Sequence, residues 1–365
     1  MKFVHMADMH FDAPFTVLNT RSDGKFGERR RLEQREIFKK VIDYIKKNQI
    51  DYLFIAGDLY ENEYIRESTI SYINNLFKQI PQTKIYITPG NHDPYTQNSM
   101  YKKFDWSENV KIFSSQIECV ELEEVDIYGF GFNDFYCNES GVEDIKIKDR
   151  DKINILITHG SLAGGAQKDL EYNPLNKNRL KEIGFDYVAL GHIHMKEGCE
   201  NSEERIIYPG STMALGFDEL GKHGIIVGEI TKGSLSKEFI PLDLKEFKEI
   251  KLDITNIISM EELIEKINEI EIDENIFYKI ILVGKRNFDI NTYKLYEFIH
   301  NLNIIKIKNE TVINIDVEKL SQENNLMGIF IKNILEDVKN NKIEEEMAEE
   351  IIELGLNMIG GKNWK

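Results

Sequence analysis

Residues 52–61 read YLFIAGDLYE, five apolar or aromatic residues followed by a glycine and an aspartate. A short apolar run that ends in a glycine is typical of a buried strand followed by a tight turn. Similar short runs occur in KFVHMADMH at 2–10 and KIYITPGNHD at 84–93. We therefore expect strands at Lys2–Met6, Tyr52–Ala56 and Lys84–Thr88. Helical periodicity fills the gaps between them, over Arg29–Lys47 and Ile65–Ile80. This alternation of strands and helices predicts an α/β domain.

The strand signals change character further along the chain. Between Val110 and Phe132 they are closely spaced, which predicts a more antiparallel arrangement in the second half of the sheet system. Ile153–Thr158, Tyr187–Leu190 and Gly224–Ile230 supply further strands. We therefore expect a layered α/β sandwich in which helices surround two mixed β-sheets.

At 365 residues the chain exceeds the usual size of a single hydrophobic core, so we expect more than one domain. The candidate catalytic and metal-binding residues end before about Leu242, and an Ile-, Glu- and Lys-rich βαβαβ pattern follows. Two amphipathic helical patterns, Leu326–Val338 and Ile343–Ile359, come last. The predicted domains are a catalytic domain at 1–242, a small α+β cap at 243–320 and a C-terminal helical pair at 321–365.

The composition is that of an ordinary globular protein, with 41% hydrophobic and 30% charged residues. No apolar run approaches the roughly 18 to 20 residues that span a bilayer, and the N-terminal segment does not resemble a signal peptide. We therefore expect a cytoplasmic protein without a membrane partner. The net charge of -17 argues against a general attraction to nucleic acid, because binding to phosphates normally needs a basic surface.

Side chains that bind metals follow the predicted strands, where α/β sheets place their ligands. Two divalent cations about 3.5 to 4 Å apart are bridged by shared ligands, and a carboxylate such as that of Asp58 suits the shared position. Neighbouring glycines, among them Gly57 and Gly90, permit the tight turns that such loops need. The candidate ligands are Asp8, His10, Asp58, Asn91, His159, His192 and His194.

The ordered motifs D-x-H, GD, GNHD, H and GHxH resemble the calcineurin-like metallophosphoesterase superfamily over about residues 1–240. Within it, ADMHFDAPF, IAGDLYE, TPGNHDPY, GHIH and the following YPGS look like the SbcD/YhaO type of DNA repair exonuclease. The phosphoprotein phosphatase branch typically carries GD-x-x-DRG, whereas Asp58 is followed by LYENEY, so that branch is disfavoured. The sandwich is therefore expected to be a metallophosphoesterase fold.

The resemblance implies one metal held by Asp8, His10, Asp58 and His194, and a second held by Asp58, Asn91, His159 and His192. The donor set suits Mn²⁺ better than Mg²⁺, and Fe, Zn, Ni and Mg stay open as alternatives. His92 is implied to protonate the leaving oxygen or to stabilise the transition state. Asp93 is interpreted either as the residue that orients His92 or as a simple turn residue.

In the family that the chain resembles, a small cap positions DNA and a following helical pair docks on the coiled coil of an SMC-like ATPase. The implied function is a Mn²⁺-dependent exonuclease that acts on DNA ends with that partner, with a homodimer left open. A small-molecule phosphodiesterase or phosphatase, for example for cyclic nucleotides, is the main alternative, and the negative charge favours it. A non-catalytic metal scaffold is disfavoured because no ligand position is eroded.

Two further features have an ordinary structural interpretation. The basic run Arg29 to Arg35 is expected to be a solvated face of a helix, because most charge runs are. The apolar stripe near the C-terminus is expected to pack against the cap rather than a partner, because such stripes usually face a core. Its members are Leu326, Ile329, Phe330 and Ile334.

Overall fold

The structure is a computed structural model that describes residues 1–15, 26–162, 172–314 and 317–359. The chain divides into two compact units, Met1–Lys248 with Asn275–Phe277, and Glu249–Glu274 with Tyr278–Lys365. The division into three domains stays a prediction. Within the described ranges, no helix combines the length and the apolarity that crossing a membrane requires.

The first unit contains eleven strands, four α-helices and one short 3-10 helix, Val142–Asp144, among its described residues. The strands are β1 (Lys2–Met6), β2 (Tyr52–Ala56), β3 (Lys84–Thr88), β4 (Val110–Ile112), β5 (Glu118–Glu121), β6 (Val125–Phe130), β7 (Ile153–His159), β8 (Tyr187–Gly191), β9 (Ile206–Ile207), β10 (Gly224–Thr231) and β11 (Ser234–Pro241). The helices are α1 (Phe26–Asn48), α2 (Glu67–Phe77), α3 (Met100–Lys103) and α4 (Lys177–Ile183).

These strands form two mixed sheets, which confirms the predicted α/β sandwich. The first sheet has the order β11-β10-β1-β2-β3-β4, with β1 to β4 parallel and β10 antiparallel to both of its neighbours. The second has the order β5-β6-β7-β8-β9. Only β5 and β6 pair antiparallel there, and β6 to β9 are parallel. The expectation of a more antiparallel second half holds for the β5–β6 and β10–β11 pairs and is wrong for β6 to β9, because long crossovers, such as the one through α4, return the chain in the same direction.

The alternation of side chains along β2 serves two hydrophobic cores. Phe54 packs in the core between the two sheets, together with Ile157 of β7. Leu53 points the other way and packs with Phe38 of α1 in the core between the first sheet and its helices. A third core, which includes Leu180 of α4, covers the outer face of the second sheet. The sheets are thus buried on both sides, and the loops at their ends are left to carry the polar chemistry.

The solvated-face interpretation of the basic run in α1 is wrong for Arg30, which is only 1% exposed. Its guanidinium carbon lies 5.5 Å from the ring centroids of both Phe247 and Phe277, and the side chain forms an ion pair with Glu33. The aromatic faces and the ion pair offset the hydration that a buried guanidinium loses. Arg30 is therefore part of the packed interior of the first unit.

The remaining elements follow the predicted βαβαβ succession and then form helices. The strands are β12 (Glu246–Asp253), β13 (Ile276–Val283), β14 (Lys285–Arg286), β15 (Ile304–Asn309) and β16 (Val312–Ile313), and the helices are α5 (Met260–Asn268), α6 (Thr292–Phe298), α7 (Val317–Ser321), α8 (Leu326–Lys339) and α9 (Glu345–Ile359). Strands β12, β13 and β15 form one sheet in that order. Helix α8 packs on α9, where Phe330 lies so close to Gly355 that a Cβ would overlap its ring. Leu326 and Ile329 of α8 are exposed, so the expectation that the apolar stripe packs against the cap is wrong for these two residues.

Candidate metal centre

Hydrogen bonds between loops join the ends of several strands into one polar site. The backbone N–H of Asp8 donates to Gly57 O at 3.1 Å and that of His10 donates to Asp58 O at 2.9 Å, which fastens the loop after β1 to the loop after β2. The backbone N–H of His192 donates to both carboxylate oxygens of Asp8, at 3.0 and 3.1 Å. The structure brings all seven predicted ligands into one connected cluster.

Four of these ligands hold a left-handed backbone that non-glycine residues rarely adopt. They are Asp8 (φ 51°), His10 (φ 48°), Asp58 (φ 51°) and His192 (φ 101°). Strained backbone of this kind persists where the surroundings enforce it, and it concentrates at functional sites. Glycines make the close approach feasible, because a Cβ on Gly57 would overlap the ring of His159 and one on Gly90 would overlap the carboxylate of Asp58.

The first ligand cluster pairs two imidazoles whose outer nitrogens face carboxylates. Nδ1 of His10 lies 2.8 Å from Glu61 Oε1, and Nδ1 of His194 lies 2.7 Å from Glu219 Oε1. Carboxylates only accept hydrogen bonds, so both Nδ1 atoms donate, and the Nε2 atoms of the neutral rings then carry lone pairs. These Nε2 atoms face each other at 3.2 Å, with Asp8 in the same cluster. A proton on one ring, or a metal cation between the rings, removes the repulsion between facing lone pairs, and outer carboxylates of this kind commonly orient metal-binding histidines.

The second cluster presents lone pairs in the same way. Nδ1 of His159 donates to Ala56 O at 2.9 Å, which leaves Nε2 at 3.0 Å from Asn91 Oδ1 and 3.3 Å from Asp58 Oδ2. Nδ1 of His192 lies 3.2 Å from the same Asn91 oxygen. Asp58 Oδ2 also lies 3.7 Å from the nearest imidazole nitrogen of the first cluster. The buried Asp58 carboxylate is therefore placed to bridge two cations, and the donor chemistry fits a two-metal site.

The carboxylates also set the charge of the rings. Burial disfavours a charged imidazole, but Asp58 outweighs burial at His159 and raises its pKa to about 9. At His194, burial is likewise outweighed by the hydrogen bond to Glu219, and the pKa is again about 9. Burial together with the charge on His159 lowers the pKa of His192 to about 3. The carboxylates that raise these pKa values would also attract metal cations, which compete with protons for the same lone pairs.

His92 lies at the open edge of the two clusters, with 46% of its side chain exposed. Its Nδ1 is 3.0 Å from Glu61 Oε2, and its backbone N–H donates to Asp58 Oδ1 at 2.8 Å. Burial opposes a charged ring, but the hydrogen bond to Glu61 and the charge of Asp58 raise the pKa of His92 to about 9. Glu61 thus contacts both His92 and the predicted ligand His10.

Asp93 is buried and holds the loops together. Its Oδ1 accepts from the backbone N–H groups of Gly90 at 2.6 Å and Asp58 at 3.1 Å. Its Oδ2 accepts from the N–H of Leu59 at 2.7 Å and from the hydroxyl of Tyr101 at 2.5 Å. These contacts make it more than a simple turn residue, and they use its carboxylate on the loop backbones rather than on the ring of the preceding histidine.

Sequence reasoning missed the two outer carboxylates, Glu61 and Glu219. Glu61 offered a signal, because it follows Asp58 by three residues within the segment IAGDLYE. Glu219 offered none, because only the tertiary structure brings it to His194. Ser211, in the YPGS motif, donates to Glu219 Oε2 at 2.6 Å, which gives that turn a role in fixing the outer carboxylate.

Comparison with known proteins places this geometry in a family. A family model described as calcineurin-like phosphoesterase matches residues 1–196, which include all seven predicted ligands. The chain belongs to the calcineurin-like phosphoesterase family. The predicted resemblance is confirmed, and the family implies divalent metal ions, for which the two clusters offer candidate ligands.

Two curated relatives align with most of this phosphoesterase. It is 26% identical to the metallophosphoesterase YhaO of Bacillus subtilis (strain 168), over 74% of this chain and 67% of that protein. It is 28% identical to the SbcD subunit of the SbcCD nuclease of Staphylococcus epidermidis, over 95% of this chain and 98% of that protein. The crystal structure of the calcineurin-like phosphoesterase YfkN from Bacillus subtilis is 14% identical with a TM-score of 0.36, over 65% of this chain and 87% of that one.

Proposed function

We propose that this phosphoesterase is a Mn²⁺-dependent phosphodiesterase that hydrolyses DNA from its ends, as a repair exonuclease that works with an SMC-like coiled-coil ATPase. The observation that carries the proposal is the arrangement of the site. Imidazole nitrogens and side-chain oxygens converge in two adjoining clusters, and His92 lies at the open edge of both. The similarity to the SbcD subunit of the SbcCD nuclease supports DNA as the substrate. Imidazole, carboxylate and amide donors together favour Mn²⁺ over Mg²⁺.

The first metal would be held by Asp8, His10, Asp58 and His194, and the second by Asp58, Asn91, His159 and His192. When bound, the two cations supply Lewis-acid stabilisation of charge on the phosphate and lower the pKa of a water nucleophile. We assign the role of general acid, which protonates the leaving oxygen, to His92. The hydrogen bond between Nδ1 and Glu61 favours the protonated ring, which can deliver a proton to the leaving oxygen. Glu61 holds the ring through Nδ1, which directs Nε2 toward the substrate.

The C-terminal part supplies the proposed partner site. We assign residues 243–320 to a cap that positions DNA and residues 321–365 to a helical pair that docks on the coiled coil. Leu326 and Ile329 of α8 are 67% and 58% exposed, which supports a role in docking. Replacing both by aspartate should abolish co-purification with the coiled-coil ATPase and leave metal binding unchanged; retained co-purification would refute this assignment.

A small-molecule phosphodiesterase is the second candidate, and one observation favours it. The net charge is -17, and Glu61 and Glu63 line the cavity beside His92, which disfavours a long polyanion. A cyclic or linear small diester carries a single charge and needs no basic groove.

The decisive experiment compares substrates with the purified protein, with Mn²⁺ and with chelator. End-labelled linear duplex DNA is tested beside cyclic and linear small phosphodiesters. Mn²⁺-dependent release of nucleotides from DNA ends, lost in both Asp58→Asn and His92→Ala, is expected. Asp58→Asn should also lose metal binding, whereas His92→Ala should retain it. Turnover of small diesters with DNA untouched, even when the ATPase partner is added, would transfer the proposal to the second candidate.

A further inference from the structure

An open cavity of about 410 Å³ adjoins the metal centre on the side of His92. Its wall combines Asn91 and His92 with three aromatic side chains, Phe135, Tyr136 and Tyr172. Small-ligand sites usually have volumes of about 300 to 1,000 Å³, so the cavity is large enough for a specific ligand group. The three aromatic residues have no part in the chemistry proposed above.

These three side chains, which we call the aromatic platform (Phe135, Tyr136 and Tyr172), lead outward from the metal centre. The ring centroid of Tyr172 lies 4.9 Å from that of His192, with 33° between the ring planes. The ring of Tyr136 follows at 5.9 Å from Tyr172, with 32° between the planes. Tyr136 is 58% exposed and Phe135 is 41% exposed. Large aromatic side chains exposed together beside a site mark a binding surface.

Charge decides what can occupy the cavity. Glu61 is paired with the His92 ring, but the carboxylate of Glu63 also lines the cavity and disfavours a second phosphate group there. An uncharged planar ring meets no such repulsion. Every nucleobase has a π face, so any of the bases can stack on aromatic side chains. Carboxylates accept hydrogen bonds from the exocyclic amino groups of bases. The cavity therefore favours a nucleobase over a phosphate.

We infer that the aromatic platform is a nucleobase subsite, which stacks the base of the nucleotide whose phosphate lies at the metal centre. The inference deepens the proposed function and rests on it in one respect, that a phosphate binds at the metal centre. It makes nucleotides, rather than phosphoesters without a base, the substrate class of this site. It also gives an acidic chain a way to hold a nucleic-acid end, because stacking does not require positive charge.

The test is equilibrium binding to the Mn²⁺-loaded full chain by calorimetry, with deoxyadenosine 5′-monophosphate and deoxyribose 5-phosphate as probes. The probes share the sugar and the phosphate, and the second carries a hydroxyl group where the first carries the base. The wild type should bind the nucleotide about 5- to 100-fold more tightly, as expected for one stacked base. Tyr136→Ala should lose most of this preference, and Tyr136→Phe should keep it. Tyr293→Ala, a matched control at a tyrosine that is 80% exposed in the second unit, should change neither affinity.

Equal affinity of the wild type for the two probes, or a Tyr136→Ala variant that keeps the preference, would overturn the subsite. Tighter binding of phosphocholine than of the nucleotide would also overturn it, in favour of a cation cage built from the same rings. Diester hydrolysis is measured separately on the same samples. A base preference without Mn²⁺-dependent hydrolysis keeps the subsite and refutes the proposed function, whereas hydrolysis without a base preference refutes only the subsite.

Discussion

Replacing Glu61 by alanine should damage two functions at once. The carboxylate accepts from Nδ1 of His10 at 2.8 Å and from Nδ1 of His92 at 3.0 Å. Loss of an outer carboxylate behind a metal ligand typically weakens metal binding or activity by about 10- to 100-fold. A general acid contributes about 100- to 10,000-fold to the rate. Without Glu61 the His92 ring is no longer held in place, so part of this rate enhancement is lost. We expect Mn²⁺ affinity to fall about 10- to 100-fold, with a comparable further loss of kcat at saturating Mn²⁺.

The choice of leaving group separates the two effects. A dinucleotide expels an alkoxide that needs a proton, whereas a p-nitrophenyl nucleotide expels a stable anion that does not. At saturating Mn²⁺, Glu61→Ala should lose kcat with the dinucleotide and retain most of it with the p-nitrophenyl ester, as should His92→Ala. Only Glu61→Ala should weaken Mn²⁺ binding in calorimetry. The exposed Glu67 provides a matched control, Glu67→Ala. Equal losses with both leaving groups, or an unchanged Mn²⁺ affinity, would refute this reasoning.

Three further variants test the supports of the site. Glu219→Gln should weaken Mn²⁺ binding by about 10- to 100-fold, because Nδ1 of His194 loses its carboxylate; calorimetry that shows wild-type affinity would contradict this. Gly57→Ala should lower the free energy of unfolding by at least about 1 to 3 kcal/mol in urea titrations and impair metal binding, because a Cβ there overlaps the imidazole at the end of β7; a stable variant with wild-type metal binding would show that the loop relaxes. Tyr101→Phe should lower the free energy of unfolding by about 1.5 to 3 kcal/mol, because a buried hydrogen bond to the Asp93 carboxylate is lost. An unchanged midpoint of urea unfolding would show that this hydrogen bond does not stabilise the fold.

The predictable part of this protein is local in sequence. The apolar runs predict the three strands Lys2–Met6, Tyr52–Ala56 and Lys84–Thr88 with the bounds that the structure has, because turn residues follow each run directly. The strand ends are also the reason that the metal ligands can be grouped from sequence. Parallel strands place their carboxyl ends on one edge, so ligands in separate segments meet without any further information.

The unpredicted part depends on contacts between distant segments. The sequence predicts that Arg30 faces solvent, because charged residues on an amphipathic helix usually do. The rings that bury it, Phe247 and Phe277, lie more than 200 residues away in the sequence. Glu219 has no pattern that links it to His194. The direction of β6 to β9 depends on where long crossovers return the chain, which strand spacing alone does not encode.

The acidic charge of the chain is compatible with phosphodiester chemistry because the attraction is concentrated at one point. Asp8 and Asp58 are buried among imidazoles, and two divalent cations bound there would reverse the local charge while the surrounding surface stays negative. A phosphate is then attracted most strongly at the metal centre and is disfavoured beside Glu63 in the adjoining cavity. Such a charge distribution selects a single scissile phosphate with uncharged groups beside it. A terminal nucleotide, with its base on the aromatic platform, meets that requirement better than a phosphate in the middle of a long duplex.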